Sequence, residues 1–483
     1  MSQRLAIWGL QGELASGLWP STQEEQIPFW RFGQNVVFRD GGVQAAMGWR
    51  APFTSPTQLP IRGLVQQRRQ NLTQRLYYGD AEGLYMWALG GSAVRLGGGF
   101  RGIVDETATR KATHWSMLSW GDWVLATNGV DPVQWYDGST LTPLVTNDDE
   151  PLPFSYAEIL MKRGPHVLAI NTSNGYNWVE WCSQDDVRDW EVTPENSAGS
   201  LVLRDLESPI IAACELGDRI ALYGSDSMHI ISYIGAPSYF GWVPALNGIG
   251  AVSKHSVVAV GRRNFGFGRQ GFWMTDGVNM KYIDDPAMRA FVQNNVNWDQ
   301  ISKVCGYHNE DTSEVRWFLP FDGSNEPSKG FGFNYNTGLW TIYGYGRTSA
   351  IERQVFKWPV AGDAEGRVYF HEVGHDAAGE ALRCEVISRP VEFGNRESLK
   401  YIDAIKVGVH GLNGRLFMQI GMQDRLSDRI RWSQAYVIEH GNEPIYPHLS
   451  GRWITFKFWS EDPEAQWSLH TIAAYGRELG SVL

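Results

Sequence analysis

The stretch HEVGH, residues 371–375, has the H-E-x-x-H spacing in which two histidines bind zinc and a glutamate activates water. That chemistry requires a helix, because only there do residues four apart share a face and bring both imidazoles to one metal. The preceding EGRVYF reads as a turn followed by a strand, and Gly374 lies inside the motif. Glycine inside a helix costs about 1 kcal/mol relative to alanine. No third ligand follows in register. The residues are therefore read as a strand end, and no catalytic residue, metal ligand or cofactor is assigned.

Two further patterns invite chemistry and fail on context. GFGRQG, residues 266–271, has the G-x-G-x-x-G spacing of a phosphate cradle, which needs a helix N-terminus to meet the pyrophosphate. FWMTDG follows instead, a strand and a turn. SQDDVRDW, residues 183–190, bunches Asp185, Asp186 and Asp189 but lacks the glycine and glutamate register of a calcium loop. It is expected to be an Asp-rich turn capped by Trp190. His114, His229 and His255 have no paired cysteine or carboxylate at a telling spacing and are expected to be satisfied sheet histidines. Cys182, Cys214, Cys305 and Cys384 are dispersed, with no C-x-x-C pair, and are expected to be reduced and buried.

The elements that would position these residues are strands. The chain holds 22 Trp, 19 Tyr, 21 Phe and 53 Gly in 483 residues. Aromatics suit half-buried pleated surfaces, and glycine supplies the positive φ of tight hairpin turns, so the class is all-β. Hairpins follow one plan, an aromatic-rich strand, an Asx-Gly turn and a second aromatic-rich strand. RLYYGDAEGLYMW, LATNGVDPVQWYDG, FWMTDGVNMKYI and FNYNTGLWTIY all obey it. Their recurrence predicts a β-propeller-like core of antiparallel hairpins over residues 61–384. Residues 1–60, rich in Pro, Gln and Gly, predict an extended N-terminal arm with the first strands. Longer alternating strands over 385–483 predict an additional antiparallel β-sandwich or peripheral β-domain. A helix is expected over 286–297, opened by Pro286, and a weaker one near DETATRKATHW.

Net charge is -11, which argues against a protein that grips nucleic acid through a basic surface. It permits one that surrounds DNA without holding it. The opening MSQRLAIWGLQGELASG has no sustained apolar core, so no secretory leader is expected, and no run is long enough to span a bilayer.

FGQNVVFRDGGVQAAMGWRAPF, residues 32–53, resembles the N-terminal segment of the tail nozzle (tail tube, or packaged-DNA stabilisation) proteins of short-tailed bacteriophages. The matching positions are Asn35, Arg39, Gly41, Gly42, Gly48 and Trp49. The likeness continues in order through LATNGVDPVQWYDG, WCSQDDVRDW, GFWMTDGVNMKYI, NYNTGLW and VYFHEVG. What it implies is a structural virion subunit without enzymatic activity, made in the bacterial cytoplasm and assembled in the tail as a ring of six below the portal and adaptor. Such a ring continues the channel for double-stranded DNA, retains the packaged genome and conducts it during ejection. Docking of tail fibres or spikes is left open, as is a second reading, a carbohydrate-directed propeller (glycosidase or receptor-binding lectin). The latter needs two carboxylates about 5–10 Å apart in a cleft.

Overall fold

The computed structural model describes residues 6–10, 29–101, 114–395, 397–441 and 443–481. Strands dominate, and the class is all-β with a propeller-like core. Six four-stranded antiparallel meanders among the described residues span 63–98, 116–143, 157–202, 212–247, 257–282 and 305–343. We number them blades 1 to 6. Blade 7 takes three strands, Ser349–Ile351, Val360–Gly362 and Val368–His371, from the same part of the chain. Its fourth, Trp49–Arg50, comes from the beginning and pairs with Phe370 and His371.

Each blade's first strand packs against the first strand of the next. The series ends with Ser349–Ile351 of blade 7 against Gly63–Arg68 of blade 1, so the innermost strands close a ring. Asx residues cap many of the turns, because their side-chain oxygen accepts from backbone N–H groups two or three residues on. Asp137, Asp276 and Asn334 do this between the third and fourth strands of blades 2, 5 and 6. Asp80 does it between the second and third strands of blade 1, and Asp363, accepting from two and four residues on, does so at the same place in blade 7.

A two-sheet sandwich stands beside the ring. One sheet contains Val36–Arg39, Gly42–Ala45, Ser398–Asn413 and Gln466–Ser481, and the other contains Trp30–Gln34, Cys384–Ser388, Leu416–Gln423 and Trp453–Ser460. Their facing sides bury Trp30, Phe38, Ile405, Met418, Phe456 and Trp467 in one core. Of the residues expected to form an extended N-terminal arm with the first strands, 30–45 pair within the sandwich and 49–50 complete blade 7. Local patterning identifies such segments as strands but carries no information on a partner hundreds of residues away.

The expected helix spans Pro286–Asn295 with Asp285 as its N-cap, burying Met288 and Val292. The second helix, near DETATRKATHW, falls almost wholly outside the described residues. Among those described, no helix is long and apolar enough to cross a membrane. The four cysteines are free and buried, and burial pushes each thiol up to about 12.

Polar ties cross the ring at one mouth, between blades that are not neighbours. Arg62, ahead of blade 1, makes a two-pronged pair with Glu326 of blade 6 at 2.8 and 2.7 Å, and Lys303 joins the same carboxylate at 2.9 Å. Lys254, ahead of blade 5, meets Glu158 of blade 3 at 3.0 Å. His255 donates from Nε2 to the Trp115 carbonyl, and His114 from Nε2 to that of Thr348. The two rings lie edge to face, 5.4 Å apart.

Burial holds both imidazoles neutral, His255 down to about 4 and His114 well below the ordinary value, with Lys254 and Arg62 adding repulsion at His114. A depressed folded-state pKa means that stability is fully present above the unfolded value near 6.5 and is lost as pH falls through the folded value. The melting temperature is therefore expected to fall between pH 6.5 and 4 more steeply in the wild type than in His255→Gln, whose amide keeps a donor for Trp115. Parallel curves for the two proteins would contradict this account.

Candidate functional site

Of the six positions singled out in residues 32–53, Asn35, Gly48 and Trp49 lie where the sandwich meets blades 6 and 7, and Arg39, Gly41 and Gly42 lie in a hairpin of the sandwich. Asn35, at φ +54°, links two strands of the sandwich. Its Nδ2 donates to the Arg383 carbonyl at 2.7 Å, and its Oδ1 accepts from the Gly344 N–H at 2.8 Å. Its own N–H donates to the Ile342 carbonyl of blade 6. One buried amide thus fastens three segments. Arg39 flanks the Asp40-Gly41 turn, where both residues have positive φ, as a two-residue hairpin loop of this hand requires. Its Nε donates to Gln44 across the hairpin. Gly42 brings its strand against the Leu469 carbonyl. Gly48 is a closer approach: a β-carbon there would stand 1.9 Å from the Asp376 carbonyl oxygen, so no other residue fits without moving the backbone.

Trp49 lies in the strand that completes blade 7, buried among Tyr345, Tyr369 and His371. The Arg347 guanidinium sits over the rings of Trp49, Tyr345 and Tyr369 at 4.5, 4.7 and 4.6 Å. Its Nε donates to His371 Nε2 at 2.9 Å. That imidazole is an acceptor, hence neutral, and burial with the Arg347 and Arg316 charges drives its pKa well below the ordinary value.

Glu372 follows at φ +60°, which turns its carboxylate inward to Arg316 at 2.6 Å. Arg316 also pairs with Glu314 at 2.7 Å and donates to Tyr307, while Tyr343 donates to Glu314. Burial raises the Glu372 carboxyl even against the pull of Arg316. All of these groups are withdrawn from solvent.

The HEVGH residues accordingly form a strand end and a loop, not a helical turn. His371 Nε2 is occupied by Arg347, Glu372 by Arg316, and the His375 N–H donates to Glu464. Among the described residues no group of three or more His, Cys, Asp or Glu is arranged to hold a metal ion. GFGRQG is a β-hairpin whose Gly266 lies under the Trp273 ring. In SQDDVRDW, Asp186 accepts from the Arg188 N–H and from Asn147, Asp189 accepts from Asn196, and Trp190 donates to the Val187 carbonyl. His229 is buried against Trp242, with no hydrogen-bond partner on either ring nitrogen.

Sequence reading missed Arg316, Glu314 and Arg347, whose partners are distant in the chain. It also missed a signal in plain sight: GDAEG occurs at 79–83 and again at 362–366. The two copies cap equivalent turns in the blades that meet at ring closure. The second copy borders a cleft of about 600 Å³ with Phe53, Ser55, Gln58, Glu365 and Arg367. Burial raises the Glu365 carboxyl there, with Asp363 adding repulsion. Asp363 itself is committed to the Glu365 and Arg367 N–H groups and the Tyr369 hydroxyl. The two carboxylates therefore belong to one turn and do not face each other across the cleft.

Removing one partner of a buried ion pair costs about 3–5 kcal/mol, whereas replacing the whole set by uncharged groups can be neutral. Arg316→Met is expected to lower unfolding stability by about that amount. Adding Glu314→Gln and Glu372→Gln should restore most of it in urea titrations. A single variant as stable as wild type would show that the network does not hold this junction.

No family model matches the chain, and no curated protein matches it. Among solved structures it is similar to PorZ, a surface component of the type-IX secretion system of Porphyromonas gingivalis. That match has 7% identity and a TM-score of 0.40, and covers 73% of this chain and 44% of PorZ. It is also similar to an inactive virginiamycin B lyase of Staphylococcus aureus with quinupristin, at 9% identity and a TM-score of 0.41, covering 67% of this chain and 98% of that one.

Proposed function

We propose that this chain is a non-catalytic structural subunit of a phage tail nozzle, assembled as a ring of six on the portal and adaptor. The observation that carries the reading is the use of the six family positions. Asn35, Arg39, Gly41, Gly42, Gly48 and Trp49 are all spent on a turn, close backbone approaches and a staple between sandwich and propeller. Selection for a rigid block would act on such positions, whereas selection for turnover would act on groups facing a cleft.

The ties across the propeller mouth bear on the DNA path. With Arg62, Glu326, Lys303, Lys254 and Glu158 drawn over the axis, duplex DNA would run between copies, through the middle of the ring. A subunit of net charge -11 suits that wall, since each phosphate neutralised by Lys or Arg strengthens binding and would slow passage.

Native mass measurement and negative-stain imaging of the chain, alone and with its connector proteins, test the proposal. Six copies around a hole wide enough for duplex DNA are expected. A chain that stays single in both settings, or one that turns over glycans, would overturn it.

A further inference from the structure

The turns that join first to second strands lie close to the axis, at the mouth opposite the polar ties. Around much of the ring they touch one another. Arg69 of blade 1 pairs with Asp122 of blade 2, and Lys162 of blade 3 sits 4.8 Å over the Trp120 ring of blade 2. Arg163 donates to the Asp218 carbonyl of blade 4, and Arg262 of blade 5 stands against Gly217 of blade 4. Arg353 of blade 7 pairs with Glu310 and Asp311 of blade 6. These pairings occupy most acids of the rim; Glu352 lies against His308, and Asp218 is exposed. Arg68, Lys162, Arg262, Arg263 and Lys357 are exposed too, and none of the five makes an ion pair among the described residues.

Farther out at this mouth, Asp137 and Asp276 accept from the N–H groups of their own turns. The acidic loop 182–198 of blade 3 folds back along the side, where Asp186 accepts from Asn147, Arg188 pairs with Asp149 and Trp190 packs on Phe154. The other mouth has the reverse sign. Its turns between second and third strands, 80–82, 128–133, 173–174, 224–226, 269–270, 321–326 and 363–367, hold eight Asp or Glu and two Lys or Arg.

The basic mouth also carries aliphatic tips. Leu72, in the same turn as Arg69, is 75% exposed, and Leu89 in the adjacent turn of blade 1 is 59% exposed. Val278, 71% exposed, tips the outer turn of blade 5, the blade that bears Arg262 and Arg263. An anionic bilayer rewards both features, since Lys and Arg are drawn to its headgroups and aliphatic side chains enter the boundary beneath them. Duplex DNA would use the cations but gain nothing from the tips. A protein partner would call for a continuous apolar centre, and these tips stand apart.

We infer that this mouth docks the chain on a bilayer surface bearing anionic lipids, with the Lys and Arg rim over the headgroups and Leu72, Leu89 and Val278 entering between them. The acidic mouth then faces away. The inference concerns a single copy and does not rest on the nozzle reading. Flotation of the full-length protein with phosphatidylcholine vesicles, with and without phosphatidylglycerol, tests it. Three variants accompany the wild type: Arg68→Gln with Arg262→Gln and Arg263→Gln, Leu72→Ser with Val278→Ser, and, at the other mouth, Glu82→Gln with Asp226→Asn. Melting temperature and competition by duplex DNA are measured on each.

Wild type is expected to float with the vesicles that contain phosphatidylglycerol and not with those that lack it, and less so as salt rises. Each Lys or Arg near an anionic surface is worth about fivefold in binding, so the triple variant should lose about 100-fold. The serine pair should lose about tenfold through its missing aliphatic contacts, and the Glu82 and Asp226 pair should match wild type, all at unchanged melting temperature. No flotation, equal flotation on both kinds of vesicle, or a triple variant that binds like wild type would overturn the inference. So would displacement by duplex DNA with a serine pair indistinguishable from wild type, which would assign a general polyanion site. A gain in the Glu82 and Asp226 pair as large as the triple variant's loss would also overturn it, since net charge and not the rim would then set the attraction.

Discussion

Ring closure is the constraint on which this molecule depends. A propeller protects its strand edges only if the last blade meets the first, and here the last blade is incomplete until Trp49–Arg50 pairs with Phe370 and His371. The closing strand is only two residues long, so its hydrogen bonds alone are a weak clasp. Its hold comes from Trp49, whose indole is buried with Tyr345, Tyr369 and His371 under the Arg347 guanidinium. Cation–π contacts that are weak in water reach about 2 kcal/mol when desolvated. Gly48 allows the strand to approach Asp376 closely enough for the indole to be seated.

The same short segment couples the two parts of the fold. Residues 30–45 belong to the sandwich and 49–50 to the propeller, so a shift of one strains the other. Asn35 ties the joint to Gly344 and to Arg383, 348 residues away in the chain. The Arg316, Glu314 and Glu372 network lies at the same junction, with both carboxylates paired to the one buried guanidinium. The site that looked catalytic in one dimension is thus a fastening in three. His371 serves it as an acceptor for Arg347, and Glu372 as a counter-charge for Arg316.

Much of this architecture was legible because it is local. Asp276-Gly277 and Asn336-Thr337-Gly338 announce turns through their own side-chain and φ requirements, and Pro286 marks a helix start by its fixed φ. Zinc binding at His371 could be set aside for the same kind of reason, since the EGRVYF context favoured a strand. What was illegible is what depends on pairing across the chain: the destination of residues 30–50, the partners of Arg316, and the convergence of Lys254 with Glu158. None leaves a periodic trace. The repeated GDAEG was the exception, a local pattern whose two copies flank the closure point.

The shared N-terminal segment also sets an order for biosynthesis. Residues 30–45 leave the ribosome well before their partner strands in 384–481. Blades 1 to 6 are local meanders and can form as they are translated. Until those partner strands are released, the early apolar strands of the sandwich stand unsatisfied, although Trp49–Arg50 can already complete blade 7. Locking of the sandwich thus waits on strands translated hundreds of residues later.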